Sequence, residues 1–397
     1  MARAAHLSLV PPRPGGNGPP TTRGKGRGAG SNASGRYEKE RREEIDDGWG
    51  MGAGPEFAPE FDGGLSDNSE AEDCISLRTP LRTDVTIERP RKIITYNNSP
   101  YVGFDRSINP YRGCEHGCIY CFARPTHAYM GLSAGLDFES KLFAKPDARG
   151  LLERELSKQN YKVKPIAMGT NTDPYQPIEK KFRVMRGILT VFDAFNHPVT
   201  VLTKAHLITR DIDLLAPLAE RNLTRAMISI TTLDKSLARH MEPRAASPKR
   251  RLDAVRELAD AGIPVGVMTA PMIPGLNDDE METLLGEAKD AGASFAGYTI
   301  IRLPLEVSPL FQEWLETYAP NRAKRVMRHI REMNGGKDYD PQWSRGKAVK
   351  GTYAKLIAHR FTKAASKVDL AWENKTPLDV TQFRVPASIT GQMNLFA

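Results

Sequence analysis

Three of the four cysteines, Cys114, Cys118 and Cys121, fall within eight residues in a C-x3-C-x2-C spacing, with Tyr120 directly before the third. Thiolates this close can reach one soft metal centre, and Gly113 and Gly117 leave the loop free to fold around it. A [4Fe-4S] cluster takes four ligands, and a protein that supplies three leaves one iron open to a small molecule. The same thiolates completed by His116 or His127 would make a structural Cys3His zinc site. The chain carries no second Cys or His pair, and a regular strand-and-helix alternation follows the loop. Both features favour the cluster.

Further along, GTNTDPYQPIE at 169–179 gathers Thr170, Asn171, Thr172 and Asp173 into a dense set of donors and acceptors behind Gly169. A glycine there lets backbone approach a ligand closely. Ser229 would suit a ribose hydroxyl. Arg244, in MEPR, would suit a carboxylate through a bidentate contact, with Arg251 as the next candidate. Each of these side chains could instead serve a helix cap or a salt bridge. Met268, Met272 and Ile273 read as barrel lining.

The words NPYRGCEHGCIYCFARPTH (109–127) and GTNTDPYQPIE resemble the radical SAM superfamily, whose C-x3-C-x-aromatic-C motif is matched by Cys114, Cys118, Tyr120 and Cys121. Within it they look like the branch that contains spore photoproduct lyase, and the resemblance spans residues 85 to 390. It implies that S-adenosylmethionine chelates the open iron through its amino and carboxylate groups. It also implies that an electron, delivered by a reduced flavodoxin or ferredoxin, cleaves it to a 5'-deoxyadenosyl radical, with Tyr120 packing on the adenine. In the family the loop after the second strand holds the methionine amino group, often through Gly-Gly-Glu. That motif is absent here, and Asp173 stands in its place with Glu179 second, while Ser229 and Arg244 fall to the ribose and the methionine carboxylate. The lyase-like enzymes use a late cysteine as hydrogen-atom donor. None follows Cys121, which leaves Tyr298 as the candidate for that role. The implied function is chemistry on nucleic acid, DNA first, as in DNA repair. RNA, protein or a small molecule as substrate, and a zinc-stabilised nucleic-acid-binding module, are the alternatives.

These residues need a scaffold, and the hydrophobic pattern supplies one. Strand-like runs at 106–112, 164–169, 199–203, 226–231, 264–270 and 295–303 alternate with amphipathic helical patterns at 148–158, 179–195, 206–220, 249–261 and 277–291. Short β-rich runs separated by helices imply parallel strands joined by right-handed crossovers. The expected fold is α/β, an open partial (β/α)6 barrel over 106–310. Its functional loops sit at the C-terminal ends of the strands. An extended lead-in at 78–105 precedes it, and a basic helical extension at 311–370 follows. In that extension Val326, Met327, Ile330 and Met333 form one apolar stripe, and Tyr353, Leu356, Ile357, Phe361 and Ala364 form another.

With 40% hydrophobic and 26% charged residues the chain has the composition of a soluble protein. No apolar run approaches the ~20 residues that span a bilayer, and the clustered cysteines do not form a disulfide framework. The expectation is a cytoplasmic protein with no membrane contact. Net charge is +8, and residues 319–367 carry thirteen bases against three acids, the footprint of a phosphate-backbone contact or of a solvated helix face. Trp343, Tyr339 and Tyr353 lie among Arg345, Lys347 and Lys350, a mixture that can stack on nucleotides. Residues 1–77, rich in Gly, Pro, Ser and charge, are expected to be a disordered tail. Residues 371–397 are expected to be a loosely packed tail whose Gln392, Met393, Asn394, Leu395 and Phe396 resemble the peptide that binds the bacterial sliding clamp.

Overall fold

The computed structural model describes residues 26–38, 81–98, 103–341, 351–372 and 376–387. In chain order the strands are β1 (Asp84–Ile87), β2 (Ile94–Tyr96), β3 (Arg106–Ile108), β4 (Tyr111–Arg112), β5 (Lys141–Ala144), β6 (Ile166–Met168), β7 (Val199–Thr203), β8 (Thr224–Ser229), β9 (Val265–Met272), β10 (Phe295–Ile300) and β11 (Ala371–Trp372). All six expected barrel strands are present. They lie side by side and parallel as β3, β6, β7, β8, β9 and β10, with antiparallel β2 beyond one edge and parallel β11 beyond the other. The two edges do not pair with each other, so the barrel is open. A small sheet, β1-β5-β4, stands beside it.

The pleat gives the sheet two different faces. Register places Leu202, Met227, Gly266 and Phe295 in one row, and Ser229, Met268 and Gly297 in the next. This row faces inward, where Thr200, Leu202, Met227, Met268 and Thr299 stay half-exposed in the open barrel. Their neighbours Val199, Val201, Ala226, Ile228, Val265 and Val267 point outward and are buried beneath the helices. A strand that is apolar on its covered face and mixed on its concave one builds a wall around a space. Glycine is required at Gly266, where a Cβ would sit 2.3 Å from the Phe295 ring.

The basic helix Pro320–Met333 buries Val326, Met327, Ile330 and Met333 as its pattern requires. The helix Thr352–Lys367 buries Ala354, Ile357, Phe361, Ala364 and Ala365, whereas Leu356 is exposed. Heptad-like spacing alone put Leu356 on the wrong flank of the stripe.

Within each expected tail one described segment is packed against the domain. Residues 26–38 dock against the cysteine loop, burying Arg27 and Ala29. Residues 376–387 pack across the barrel end opposite the cysteine loop. There Asn222 Nδ2 donates to Pro377 O at 2.9 Å, Gln382 Nε2 donates to Arg221 O at 2.8 Å, and Phe383 packs against Tyr161, Phe195 and His197. Neither segment carries a periodic apolar pattern, because each is held by hydrogen bonds to loops rather than by an amphipathic face. The remainder of both tails, the Gln392 to Phe396 peptide, and Trp343, Arg345, Lys347 and Lys350 lie outside the described residues. Among the described residues no helix is long and apolar enough to cross a membrane.

His197 is buried at that closed end, its Nε2 2.8 Å from the Tyr161 hydroxyl and its Nδ1 2.9 Å from Pro198 O. Burial lowers its pKa from 6.5 to about 3. The native state therefore holds a neutral ring that the unfolded chain protonates below 6.5, so this contribution to stability is full above pH 6.5 and is lost as pH falls toward 3. Urea unfolding of the metal-free protein at pH 7.5 and 5.5 checks this. The wild type loses up to about 1.4 kcal/mol per pH unit through this group, and the gap between it and His197→Gln narrows at the lower pH.

Candidate active site

The cysteine loop begins where β4 ends and is shaped by two glycines in the left-handed region. Gly113 has φ 72° and Gly117 φ 66°. A Cβ on Gly113 would lie 2.8 Å from Phe138 O, and one on Gly117 would lie 2.7 Å from the Glu139 carboxylate. Loop amides are anchored on both sides, Cys114 N to Phe138 O and Ile119 N to Met241 O, each at 3.0 Å. Arg124, fully buried, donates to Cys118 O at 2.9 Å, to Gly117 O at 3.1 Å, and to Ala134 O and Gly135 O at 3.0 Å, and pairs with buried Glu139. From the loop after β6, Gln176 donates to Gly113 O at 3.1 Å and accepts from Glu115 N at 2.9 Å. The loop is therefore set by hydrogen bonds independent of its thiols.

Cys114, Cys118 and Cys121 form no disulfide, and the first two are buried. Burial pushes all three thiols up, so ligation must displace their protons. No three His, Cys, Asp or Glu side chains among the described residues converge as they would on a single ion. A four-iron cube gives each thiolate its own iron. Each of the two histidines that could complete a zinc site has one ring nitrogen engaged, and His127 Nδ1 is buried with no hydrogen-bond partner. His116 Nδ1 lies 3.4 Å from Asp173 Oδ2, and His127 Nε2 lies 2.9 Å from Lys141 O. The donor set fits an iron-sulfur cluster.

Beside the loop lies a buried polar cluster. Glu242 accepts from the Tyr120 hydroxyl, from Thr231 Oγ1 at 2.6 Å and from Arg251, while Lys204 Nζ stands 3.0 Å away. Burial pushes the Glu242 carboxyl up, but Arg251 and Lys204 outweigh it and hold it well below the usual carboxylate range. Lys204 Nζ also donates to Ser229 Oγ at 2.7 Å and Thr231 Oγ1 at 3.2 Å, and lies 5.6 Å from the Tyr120 ring centroid. Its side chain keeps 15% of its surface exposed. A cation, two hydroxyls and an aromatic ring thus stand together beside the cysteine loop.

The structure brings Tyr120 and Ser229 together with the cysteines, and gives other expected residues different tasks. Gly169, with φ 87°, makes a close approach to the next strand: a Cβ would fall 1.9 Å from Leu202 O. Asp173 is committed to the loops, accepting from Thr203 Oγ1 at 2.6 Å, Tyr175 N at 2.9 Å and Lys204 N at 2.8 Å. Its desolvation is outweighed by His116 and these donors, so its carboxyl sits low. Glu179 is buried against Tyr111 and Arg210. Arg244 pairs with Glu115 at 3.0 Å, and Arg251 is buried on Glu242, Ser229 O and Ala246 O. Asn171 is exposed at the mouth, its backbone held by Asn109 Oδ1 at 3.0 Å. Tyr298 is a correction: it lies on the outer face of β10, its ring 4.7 Å from Phe361 and 5.4 Å from Trp372, and does not reach the barrel interior. Sequence reasoning missed Lys204, Glu242 and Gln176. Of these, Lys204 had a signal, as the first residue beyond the end of β7, where barrel enzymes place their chemistry.

Removing one partner of a buried ion pair strands the other. Arg251→Met is expected to destabilise the metal-free protein by about 3–5 kcal/mol in denaturant unfolding, whereas Arg244→Met, on a pair at the edge of solvent, is expected to cost about 1 kcal/mol or less.

A family profile described as the Radical SAM superfamily matches residues 108–288. An uncharacterised protein of Mycobacterium tuberculosis is 32% identical over 298 residues, covering 74% of this chain and 83% of its own length. An uncharacterised protein of Methanocaldococcus jannaschii is 29% identical over 214 residues, 54% of this chain and 76% of its own. Among solved structures, a spore photoproduct lyase mutant with bound AdoMet and dinucleoside spore photoproduct superposes with a TM-score of 0.51 at 16% identity, over 74% of this chain and 82% of that one.

Proposed function

For a chain that belongs to the radical SAM superfamily, we propose an enzyme that holds a [4Fe-4S] cluster on Cys114, Cys118 and Cys121 and acts on nucleic acid. When bound and reduced, the cluster supplies the electron that cleaves S-adenosylmethionine to the 5'-deoxyadenosyl radical. The observation that carries this reading is the placement of three unpaired cysteines in one pre-shaped loop beside the Lys204, Ser229 and Thr231 head groups. Lys204, paired with Glu242 yet partly exposed, suits the methionine carboxylate of S-adenosylmethionine as a point charge. Ser229 and Asn171 present a hydroxyl and an amide for its remaining polar groups. Tyr120, fixed through its hydroxyl, supplies a rigid ring beside them.

Support for a nucleic-acid substrate comes from the helix Pro320–Met333. Arg322, Lys324, Arg325 and Arg328 are exposed on it, and Arg322 Nη1 donates to Leu276 O at 3.2 Å, in the loop that follows β9. The basic face therefore adjoins the barrel mouth, where a backbone phosphate would place a base over the site. DNA is the favoured form, as the dinucleoside ligand of the fold neighbour supports. A net charge of +8 also suits an acidic flavodoxin or ferredoxin as electron donor.

Three measurements test this. Protein reconstituted anaerobically with iron and sulfide, then reduced, is expected to form 5'-deoxyadenosine from S-adenosylmethionine, and Cys118→Ala is expected to form none. Lys204→Met is expected to keep the cluster absorption and weaken S-adenosylmethionine binding about tenfold or more. Substituting Arg322, Arg325 and Arg328 together by Ala should flatten the slope of log affinity for duplex DNA against log salt by up to about 0.9 per lost contact. Zinc in place of iron and no product would overturn the enzyme reading. A slope unchanged by the triple substitution would move the substrate to another chemical class.

A further inference from the structure

The glycine-rich arm Arg27-Gly28-Ala29 lies against the back of the cysteine loop, and its backbone completes a buried charge there. Glu139, fully buried, accepts from Gly28 N and Ala29 N, each at 2.8 Å, and pairs with Arg124. Arg124 is the residue that holds the carbonyls of Gly117 and Cys118. Arg27 donates to Glu139 O, to Leu81 O at 2.7 Å and to Thr83 Oγ1 at 3.0 Å, and Thr83 in turn donates to Glu115 inside the loop. Asn32 and Asp137 exchange two hydrogen bonds of 3.0 Å. The fit leaves no room for a side chain. A Cβ on Gly28 would lie 1.8 Å from Gly117 O, and one on Gly135 would lie 2.2 Å from Ser31 O.

We propose that residues 27–33 are a positioning strap for the cysteine loop: they satisfy Glu139, Glu139 orients Arg124, and Arg124 fixes the loop that carries Cys114, Cys118 and Cys121. The strap acts in the metal-free protein, before any ligation, and its basic residue Arg27 is consumed internally rather than offered to nucleic acid. Two of the three donors to the Glu139 carboxylate come from the strap, so its loss leaves a buried carboxylate with a single partner. The role in retaining a cluster rests on the reading above, whereas the role in shaping the loop does not.

The test uses the full chain bearing Gly28→Val, which cannot seat against Gly117. In metal-free protein, amide exchange across 113–118 is expected to rise about tenfold while exchange in β8 and β9 stays as in the wild type. After reconstitution, release of iron to a chelator is expected to quicken by a similar factor, and the electron paramagnetic resonance signal of the reduced form to broaden. A synthetic peptide of residues 24–37, added in excess, is expected to reverse the exchange and the iron release. If Gly28→Val does not fold, Arg27→Ala carries the same readouts. Unchanged exchange at 113–118, or a rise shared by β8 and β9 that the peptide does not reverse, overturns the strap. A wild type that takes up no iron refutes the cluster while the exchange measurement still decides the strap.

Discussion

The mouth of the barrel depends on one carboxylate that must remain ionised out of water. Glu242 terminates the helix Lys235–Met241 and gathers donors from four separate parts of the chain: Tyr120 of the cysteine loop, Lys204 after β7, Thr231 after β8, and Arg251 of the helix Pro248–Asp260. Burying such a charge costs several kcal/mol, and a single cation would barely offset it. Two cations and two hydroxyls do, but only while all four elements hold their places. The charge thus acts as a geometric constraint, and the polar groups facing the mouth are fixed before a ligand arrives.

A second buried carboxylate, Glu139, has the same logic on the other side of the loop. There the compensating donors are one guanidinium and two backbone amides. The cysteine loop is suspended between these two charges, and neither requires metal. Such an arrangement leaves the thiols protonated and the loop ordered in one protein, which is the state that a cluster-loading step would meet.

Much of this was legible in the sequence. The six strands and their helices follow from β-branched outward rows and apolar stripes, and the cysteine spacing marks its loop without help. The misreadings have physical causes. Tyr298 faces outward because β10 enters the sheet with Phe295 pointing inward, a parity set by pairing with β9 and invisible in either strand alone. Gly169 and Asp173 have the residue types of a ligand loop, and packing against β7 also engages them, which the sequence does not show. The arm at 26–38 reads as disordered because composition counts apolar surface, and this segment is held by amides on a buried carboxylate instead. Lys204 lies in no motif and Glu242 stands in MEPR beside the arginine that drew the reading, and their importance appears when strand ends meet.

The segment 376–387 closes the barrel floor by fastening the loops that precede β7 and β8. Its hydrogen-bond partners lie 155 and 161 positions earlier in the chain, so the floor closes through contacts between distant parts of the sequence. Closure over such a separation is of the slow kind that topology imposes. Without it, the rings of His197 and Phe195 would lose the cover of Phe383. The cysteine loop and this long-range closure thus lie at opposite ends of one barrel.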